Sequence, residues 1–173
     1  MRFEGRNGRR ILGIDPGLAR MGWGAIEVSG TRLAHVAHGV LTSEARTGAG
    51  PRLLILYEAL CEVITRVAPQ AIAIEQVFVH KDPSAALKLG QARAVALLAA
   101  ARAGLDIAEY TPNHVKKCVV GMGHAGKDQV QAMIRHLLPT ACVDSPDAAD
   151  ALALAIAHAH LAGTQARIEA ALA

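Results

Sequence analysis

The chain has few aromatic residues, few cysteines and no long apolar segment near its start, and each shortage excludes a class of protein. One Trp, two Tyr and two Phe among 173 residues are too few for a surface that stacks many nucleic-acid bases. The three cysteines (Cys61, Cys118 and Cys142) are odd in number and lack CxxC spacing, which argues against a disulfide framework or a zinc ribbon. The basic start is followed by too short an apolar run for a signal peptide.

Charged residues are also scarce, at 19% of the chain against 52% hydrophobic residues. This composition excludes a disordered protein, and the length fits one domain but not two nucleotide-clamping lobes. The C-terminal stretch 151–165, which contains no Asp, Glu, Lys or Arg, is too short to span a bilayer. We therefore expect a cytoplasmic protein with no membrane partner. The net charge of +3 and the pI of about 9.0 fit a polyanionic partner.

Apolar periodicity and turn residues predict an α/β fold with a mixed five-stranded sheet flanked by helices. Strands are expected at 11–14, 21–28, 32–41, 71–77 and 105–110, and helices at 52–68, 84–103, 112–120, 127–138 and from 146 past 160. The sheet is mixed because a hairpin opens the chain and helical crossovers follow. The predicted domain covers 11–162, with a flexible basic extension at 1–10, a mobile loop at 42–51 and a C-terminal tail at 163–173.

Four acidic residues occupy positions that need an explanation, and we call them the acid cluster: Asp15, Glu75, Asp147 and Asp150. Asp15 and Glu75 end or interrupt apolar strands, where uncompensated carboxylates are rare. Asp147 and Asp150 are three residues apart, so they project from one face of a helix. Simpler interpretations remain open: a turn at Asp15, a solvent-facing edge position for Glu75, and helix-dipole contacts for the two acids near the helix start.

If the acid cluster converges, its charges repel and a divalent cation is the natural compensation. Ligands that are all oxygen suit Mg²⁺ or Mn²⁺. Two such ions can activate a water molecule and stabilise the leaving oxygen of a phosphodiester. Because the rest of the chain is more basic once these acids are set aside, a phosphate-rich substrate fits.

Several segments, in order along the chain, resemble the RuvC family of Holliday junction resolvases. They are ILGIDPGLARMGWGAIEV, IEQVFV, ALKLGQARA, VKKCVVGMGHAGKDQV and DAADALALAIAHAH, and the likeness covers about residues 10 to 161. The resemblance implies a ribonuclease H-like fold, a homodimer, and an Mg²⁺-dependent endonuclease with two ions per site, for which Mn²⁺ can substitute. It implies paired symmetric nicks in four-way DNA junctions during recombination and repair, with 5′-phosphate and 3′-hydroxyl ends. It also implies partnership with the RuvA–RuvB branch-migration complex.

The same resemblance assigns catalytic and metal-binding roles to the acid cluster and further roles to four basic residues and one aromatic. It places Phe78 against bases at the junction crossover, and Lys116 and Lys127 in DNA contact or catalysis. A lysine that opens a helix is unfavourable unless an anion binds there, and a phosphate would satisfy this at Lys127. Lys117 and Arg20 are weaker candidates for contact with the DNA backbone. The segment 80–83 departs from the family pattern, and so does the basic extension.

Two functions of other classes compete with the nuclease interpretation. The GIDPG segment and the hairpin after it also resemble the phosphate-binding start of actin-like ATPases and sugar kinases, although those need a second lobe. A DNA-binding protein that recognises junction shape without cutting is the other alternative. ATP binding would favour the first, and junction binding without cleavage would favour the second.

Overall fold

The computed structural model describes residues 8–76 and 82–172, and its elements follow the predicted order. The five strands are β1 (Arg9–Asp15), β2 (Arg20–Ser29), β3 (Arg32–Thr42), β4 (Ala71–Glu75) and β5 (Asp106–Tyr110). The five helices are α1 (Ala49–Val67), α2 (Pro83–Arg102), α3 (Pro112–Val120), α4 (Lys127–Leu137) and α5 (Pro146–Leu172).

The strands form one mixed sheet in the order β3-β2-β1-β4-β5. The first three strands are an antiparallel meander, and β4 and β5 run parallel to β1. Helix α1 leads from β3 to β4, and α2 connects the parallel neighbours β4 and β5, as a parallel strand pair requires. The predicted mixed five-stranded α/β fold is therefore confirmed.

The two faces of the sheet are covered by different helices, which gives two hydrophobic cores. On one face, Leu12, Ile14, Ile72 and Ile74 pack with buried residues of α1 and α2. On the other face, Ile11 and Ala73 pack with α3, α4 and α5. Because side chains alternate along a strand, Asp15 and Glu75 share the α5 face with Ile11 and Ala73.

Helix α5 lies very close to the sheet because glycines face it. A Cβ at Gly13 would lie 1.9 Å from the carbonyl oxygen of Ala151, and a Cβ at Gly22 would lie 2.0 Å from that of Asp147. Real side chains never approach backbone this closely, so both contacts require glycine. The first turn of α5 is therefore seated directly on β2.

Several predicted boundaries differ from the structure. Helix α1 begins at Ala49, inside the predicted loop, because Pro51 is tolerated in a first helical turn. Strand β4 ends at Glu75 rather than at 77, strand β1 begins at Arg9, and α5 continues to Leu172 through the predicted tail. Within 8–76 and 82–172, no helix combines the length and apolar character needed to cross a membrane.

Candidate active site

The first half of the acid cluster lies at one edge of the sheet, where two parallel strands end side by side. Ile14 of β1 pairs with Ile74 of β4, so the next residues, Asp15 and Glu75, are neighbours. Because side chains alternate along a strand, both carboxylates face α5. The carboxyl ends of parallel strands are the usual place for a site in an open α/β sheet.

The second half of the cluster comes from the first turn and a half of α5. Asp147 is anchored by the contact of its backbone carbonyl with Gly22, which pairs with Asp15 across β1 and β2. Asp150 lies three residues further along the same side of the helix. The close seating of α5 on the sheet therefore brings both helical acids to the edge at which Asp15 and Glu75 lie.

The electrostatic effects within the cluster follow from this crowding. Burial, followed by the charges of Glu75, Asp150 and Asp147, raises the pKa of Asp15 from its ordinary value of 3.8 to about 8. Burial also raises the pKa of Glu75, with Asp150 adding to the effect, and it raises the pKa of Asp150, with Asp147 adding to it. Lys127 lowers the pKa of all three, so its ammonium lies near them.

Two lysines share a pocket with two of the acids. The pocket has a volume of about 260 Å³, and its lining includes Glu75, Asp150, Lys116 and Lys127. Lys127 is the first residue of α4, and Gly126 before it has its N–H satisfied by Oε1 of Gln129 at 2.9 Å. Negative and positive groups thus line one cavity, which suits a phosphate bound by a cation and by ammonium groups.

Arg20 contacts the acid cluster directly. Its Nε donates to Oδ2 of Asp147 at 2.7 Å, and its Nη2 donates to the hydroxyl of Ser145 at 3.4 Å. The arginine is about half exposed, with a side-chain exposure of 54% against 30% for Asp147. The residue predicted to contact the DNA backbone therefore pairs with an acid of the cluster.

The cluster has the donor chemistry of a site for a hard divalent cation. In the part of the chain that the structure describes, no group of three or more His, Cys, Asp or Glu side chains already has a metal-binding arrangement. The four donors are nevertheless all carboxylates, and burial together with the charges of the other three acids raises the pKa of Asp15, so that a bound cation would favour its ionised form. Mg²⁺ or Mn²⁺ fits this set, because both prefer oxygen ligands.

The remaining predicted residues are placed less centrally or lie outside the description. Lys117 is exposed, and its charge partly offsets the rise that burial causes in the pKa of the Cys118 thiol. Phe78 and His80 fall in 77–81, outside the described residues, so the base-contact role of Phe78 stays a prediction. All three cysteines are free thiols.

Sequence reasoning missed two features of the site. Gly22 and Gly24 both face α5, and alternating glycines within a strand are a signal of close backbone approach. The second feature is a hydrogen bond of 2.8 Å between the hydroxyl of Tyr110 and Nδ1 of His158. Tyr110 pairs with Glu75 in the sheet, so this contact supports the strand end that carries the acid.

Comparison with known proteins gives one consistent result. A family model described as crossover junction endodeoxyribonuclease RuvC matches residues 11–158. The proteins of that name from Paracoccus denitrificans and Parvibaculum lavamentivorans are each 59% identical, over 93% of this chain and 98% and 92% of their own lengths. A solved structure, T. thermophilus RuvC in complex with Holliday junction substrate, superimposes with a TM-score of 0.85 at 32% identity. The match covers 91% of this chain and 96% of that one.

Proposed function

The chain belongs to the RuvC family of crossover junction endodeoxyribonucleases, and from that membership we propose that it resolves four-way DNA junctions by metal-dependent cutting. The proposed products of two symmetric nicks carry 5′-phosphate and 3′-hydroxyl ends. The observation that carries the proposal is the acid cluster at the sheet edge, where the pKa of Asp15 reaches about 8. Such an unbalanced cluster favours binding of divalent cations.

The acid cluster would hold two Mg²⁺ ions, with Mn²⁺ as a substitute. When bound, the ions would lower the pKa of a coordinated water and stabilise charge on the phosphate. Asp15 and Glu75 would supply ligands from the sheet. Asp147 and Asp150 would supply ligands from α5. Binding of cations favours the ionised form of all four carboxyl groups, because opposite charge lowers a carboxyl pKa.

Lys127 and Lys116 would bind the scissile phosphate in the pocket that they share with Glu75 and Asp150. Lys127 lies at the start of α4, where the first backbone N–H groups also favour an anion. Lys116 reaches the same cavity from α3 and lowers the pKa of Glu75 and Asp150. We assign Lys127 to stabilisation of charge on the phosphate during cutting, and Lys116 and Lys117 to contact with the DNA backbone.

The exposed apolar surface of α1 and α2 supports a homodimer. Leu54 and Leu98 are 56% and 61% exposed, and they flank a groove of about 400 Å³ that Tyr57 and Ala94 also line. We propose that a second copy of the chain covers this surface. A two-fold dimer presents two equivalent sites, which suits two symmetric nicks in one junction.

The proposal extends to the setting in which the protein acts. We assign residues 11–162 to the nuclease domain, and we propose cytoplasmic action on chromosomal DNA during homologous recombination and repair. A RuvA–RuvB branch-migration complex is the proposed protein partner. Loss of junction resolution in a strain lacking this gene, restored by the wild-type chain and not by Asp15→Asn, would support that setting.

A single cutting assay tests the proposed activity. A synthetic mobile four-way junction and a linear duplex of matched sequence are incubated with the protein, with and without Mg²⁺, and the cuts are mapped. We expect paired nicks in the junction alone, with ends that ligase can seal. Asp15→Asn should bind the junction without cutting it. Binding without any nick in Mg²⁺ or Mn²⁺ would contradict the proposal and favour a non-catalytic junction-binding protein.

A further inference from the structure

The contact between Arg20 and Asp147 links the start of β2 to the start of α5 across 127 residues of sequence. Arg20 and Gly22 are two residues apart on one strand, so they face the same side of the sheet. Gly22 is the residue on which the backbone of Asp147 rests. The strand geometry therefore directs the Arg20 side chain toward the first turn of α5.

The turn before β2 also depends on glycine. A Cβ at Gly17 would lie 2.0 Å from the carbonyl oxygen of Arg20, so the chain turns back tightly between Asp15 and Arg20. This turn brings the guanidinium back to the end of the sheet that carries Asp15. Nε and Nη2 of the arginine then bind Asp147 and Ser145, at the two sides of Pro146.

Within 8–76 and 82–172, Asp147 is the one member of the acid cluster in an ion pair with an arginine or a lysine. It is also the acid that contributes least to the raised pKa of Asp15, after Glu75 and Asp150. The guanidinium thus occupies Oδ2 of Asp147, one of the two carboxylate oxygens that this residue can offer to a divalent cation. An arginine cannot lose its charge at accessible pH, so it competes at every pH.

We infer that Arg20 is an internal counter-ion for Asp147, and that the arginine competes with a divalent cation for this carboxylate. The inference rests on the proposed function, since the incoming cation is the metal of the nuclease. Arg20 then acts as a positioning residue that sets the metal concentration at which the site fills. This differs from the contact with DNA backbone that the sequence predicts for it.

Titration of the DNA-free protein with Mn²⁺, followed by calorimetry or by the electron paramagnetic resonance of free Mn²⁺, tests this role without any cutting. Arg20→Gln should bind Mn²⁺ about fivefold more tightly than the wild type, a factor that corresponds to about 1 kcal/mol. Arg20→Lys keeps a cation at this position and should stay within about twofold of the wild type. The Mg²⁺ concentration for half-maximal junction nicking should fall in parallel for the Gln variant.

The matched control is Arg102→Gln, which removes the same charge from the last turn of α2, at the opposite end of the sheet. It should leave the Mn²⁺ affinity unchanged. Arg20→Met replaces Arg20→Gln if the latter does not fold, as judged by thermal unfolding. Unchanged or weaker Mn²⁺ binding by the Arg20 variant overturns the inference, and so does an equal gain in the Arg102 control.

These outcomes separate the inference from the proposed function. Tighter Mn²⁺ binding by the Gln variant in a protein that leaves junctions intact would support the role of Arg20 and contradict the nuclease activity. If the wild-type protein nicks junctions and Arg20→Gln binds Mn²⁺ with unchanged affinity, the inference about Arg20 is overturned and the proposed nuclease activity stands.

Discussion

Asp15→Asn tests whether the acid cluster lowers the stability of the metal-free protein. The pKa of Asp15 is raised from 3.8 to about 8, so the folded protein keeps a proton on this carboxyl that the unfolded chain releases at neutral pH. The wild type should therefore lose stability as pH rises from about 4 to about 8. The Asn variant has no such proton at this position and should not show that part of the loss.

The size of the effect follows from the pKa. One pKa unit corresponds to about 1.4 kcal/mol, so the stability advantage of the variant can grow by up to about 4 kcal/mol between pH 5 and pH 8. The Asp15 carboxyl is only partly buried, and access to water reduces the expected growth to about 2 kcal/mol. A gain in stability from an active-site substitution is the opposite of the usual result of mutation.

Urea unfolding in EDTA at pH 5 and pH 8, followed by the fluorescence of the buried Trp23, measures this difference. Asp128→Asn is the matched control, since Asp128 is an exposed acid in the first turn of α4, and its effect should stay below about 1 kcal/mol. Added Mg²⁺ should stabilise the wild type more than Asp15→Asn. The reasoning is refuted if the stability advantage of Asp15→Asn over the wild type does not grow between pH 5 and pH 8, or if the variant is less stable than the wild type at pH 8.

Three further substitutions test helix seating, phosphate contact and paired action. Gly22→Ala should destabilise the fold by about 1–3 kcal/mol in urea unfolding, because its Cβ would lie 2.0 Å from the carbonyl oxygen of Asp147. Gly50→Ala, with open space around it, should not destabilise. Lys127→Ala should slow nicking at saturating Mg²⁺ by about a hundredfold, with a much smaller change in junction binding in Ca²⁺. Leu98→Glu should give monomers in sedimentation and unpaired nicks.

Each of these three expectations has a clear contrary outcome. An unchanged unfolding midpoint for Gly22→Ala would mean that α5 can move away from β2 without cost. A Lys127→Ala variant that nicks junctions at the wild-type rate would show that the Lys127 ammonium does not contact the phosphate. A dimer formed by Leu98→Glu at micromolar concentration would place the interface away from the exposed face of α2.

Strand and helix periodicity predicted that the four acids lie near one another, and the effects of the other three charges on the pKa of Asp15 agree with this, while their metal-binding role stays a prediction. Asp15 and Glu75 each follow a short apolar strand, and neighbouring parallel strands end at one edge. Asp147 and Asp150 are three residues apart, which fixes their common side on any helix. These are local patterns, and the pairing of β4 with β1 and the seating of α5 on the sheet bring them together.

Contacts that depend on the exact seating of α5 could not be predicted in this way. The ion pair of Arg20 with Asp147 joins residues 127 apart, and no local pattern indicates which of the nearby acids the arginine selects. The continuation of α5 to Leu172 was also missed, because 163–172 has no strong apolar stripe. Its Gly163 resembles a helix end, and the structure continues through it.

The seating of α5 connects the stability of the fold to its chemistry. Gly13 and Gly22 allow backbone contact between the helix and the central strands, which brings Asp147 close enough to raise the pKa of Asp15. A larger residue at either glycine would relieve the repulsion among the carboxylates, and it would also separate the oxygen atoms that a cation needs. The close packing of α5 on the sheet therefore lowers the stability of the protein without metal and also gives the site its affinity for divalent ions. A change in this packing alters both properties.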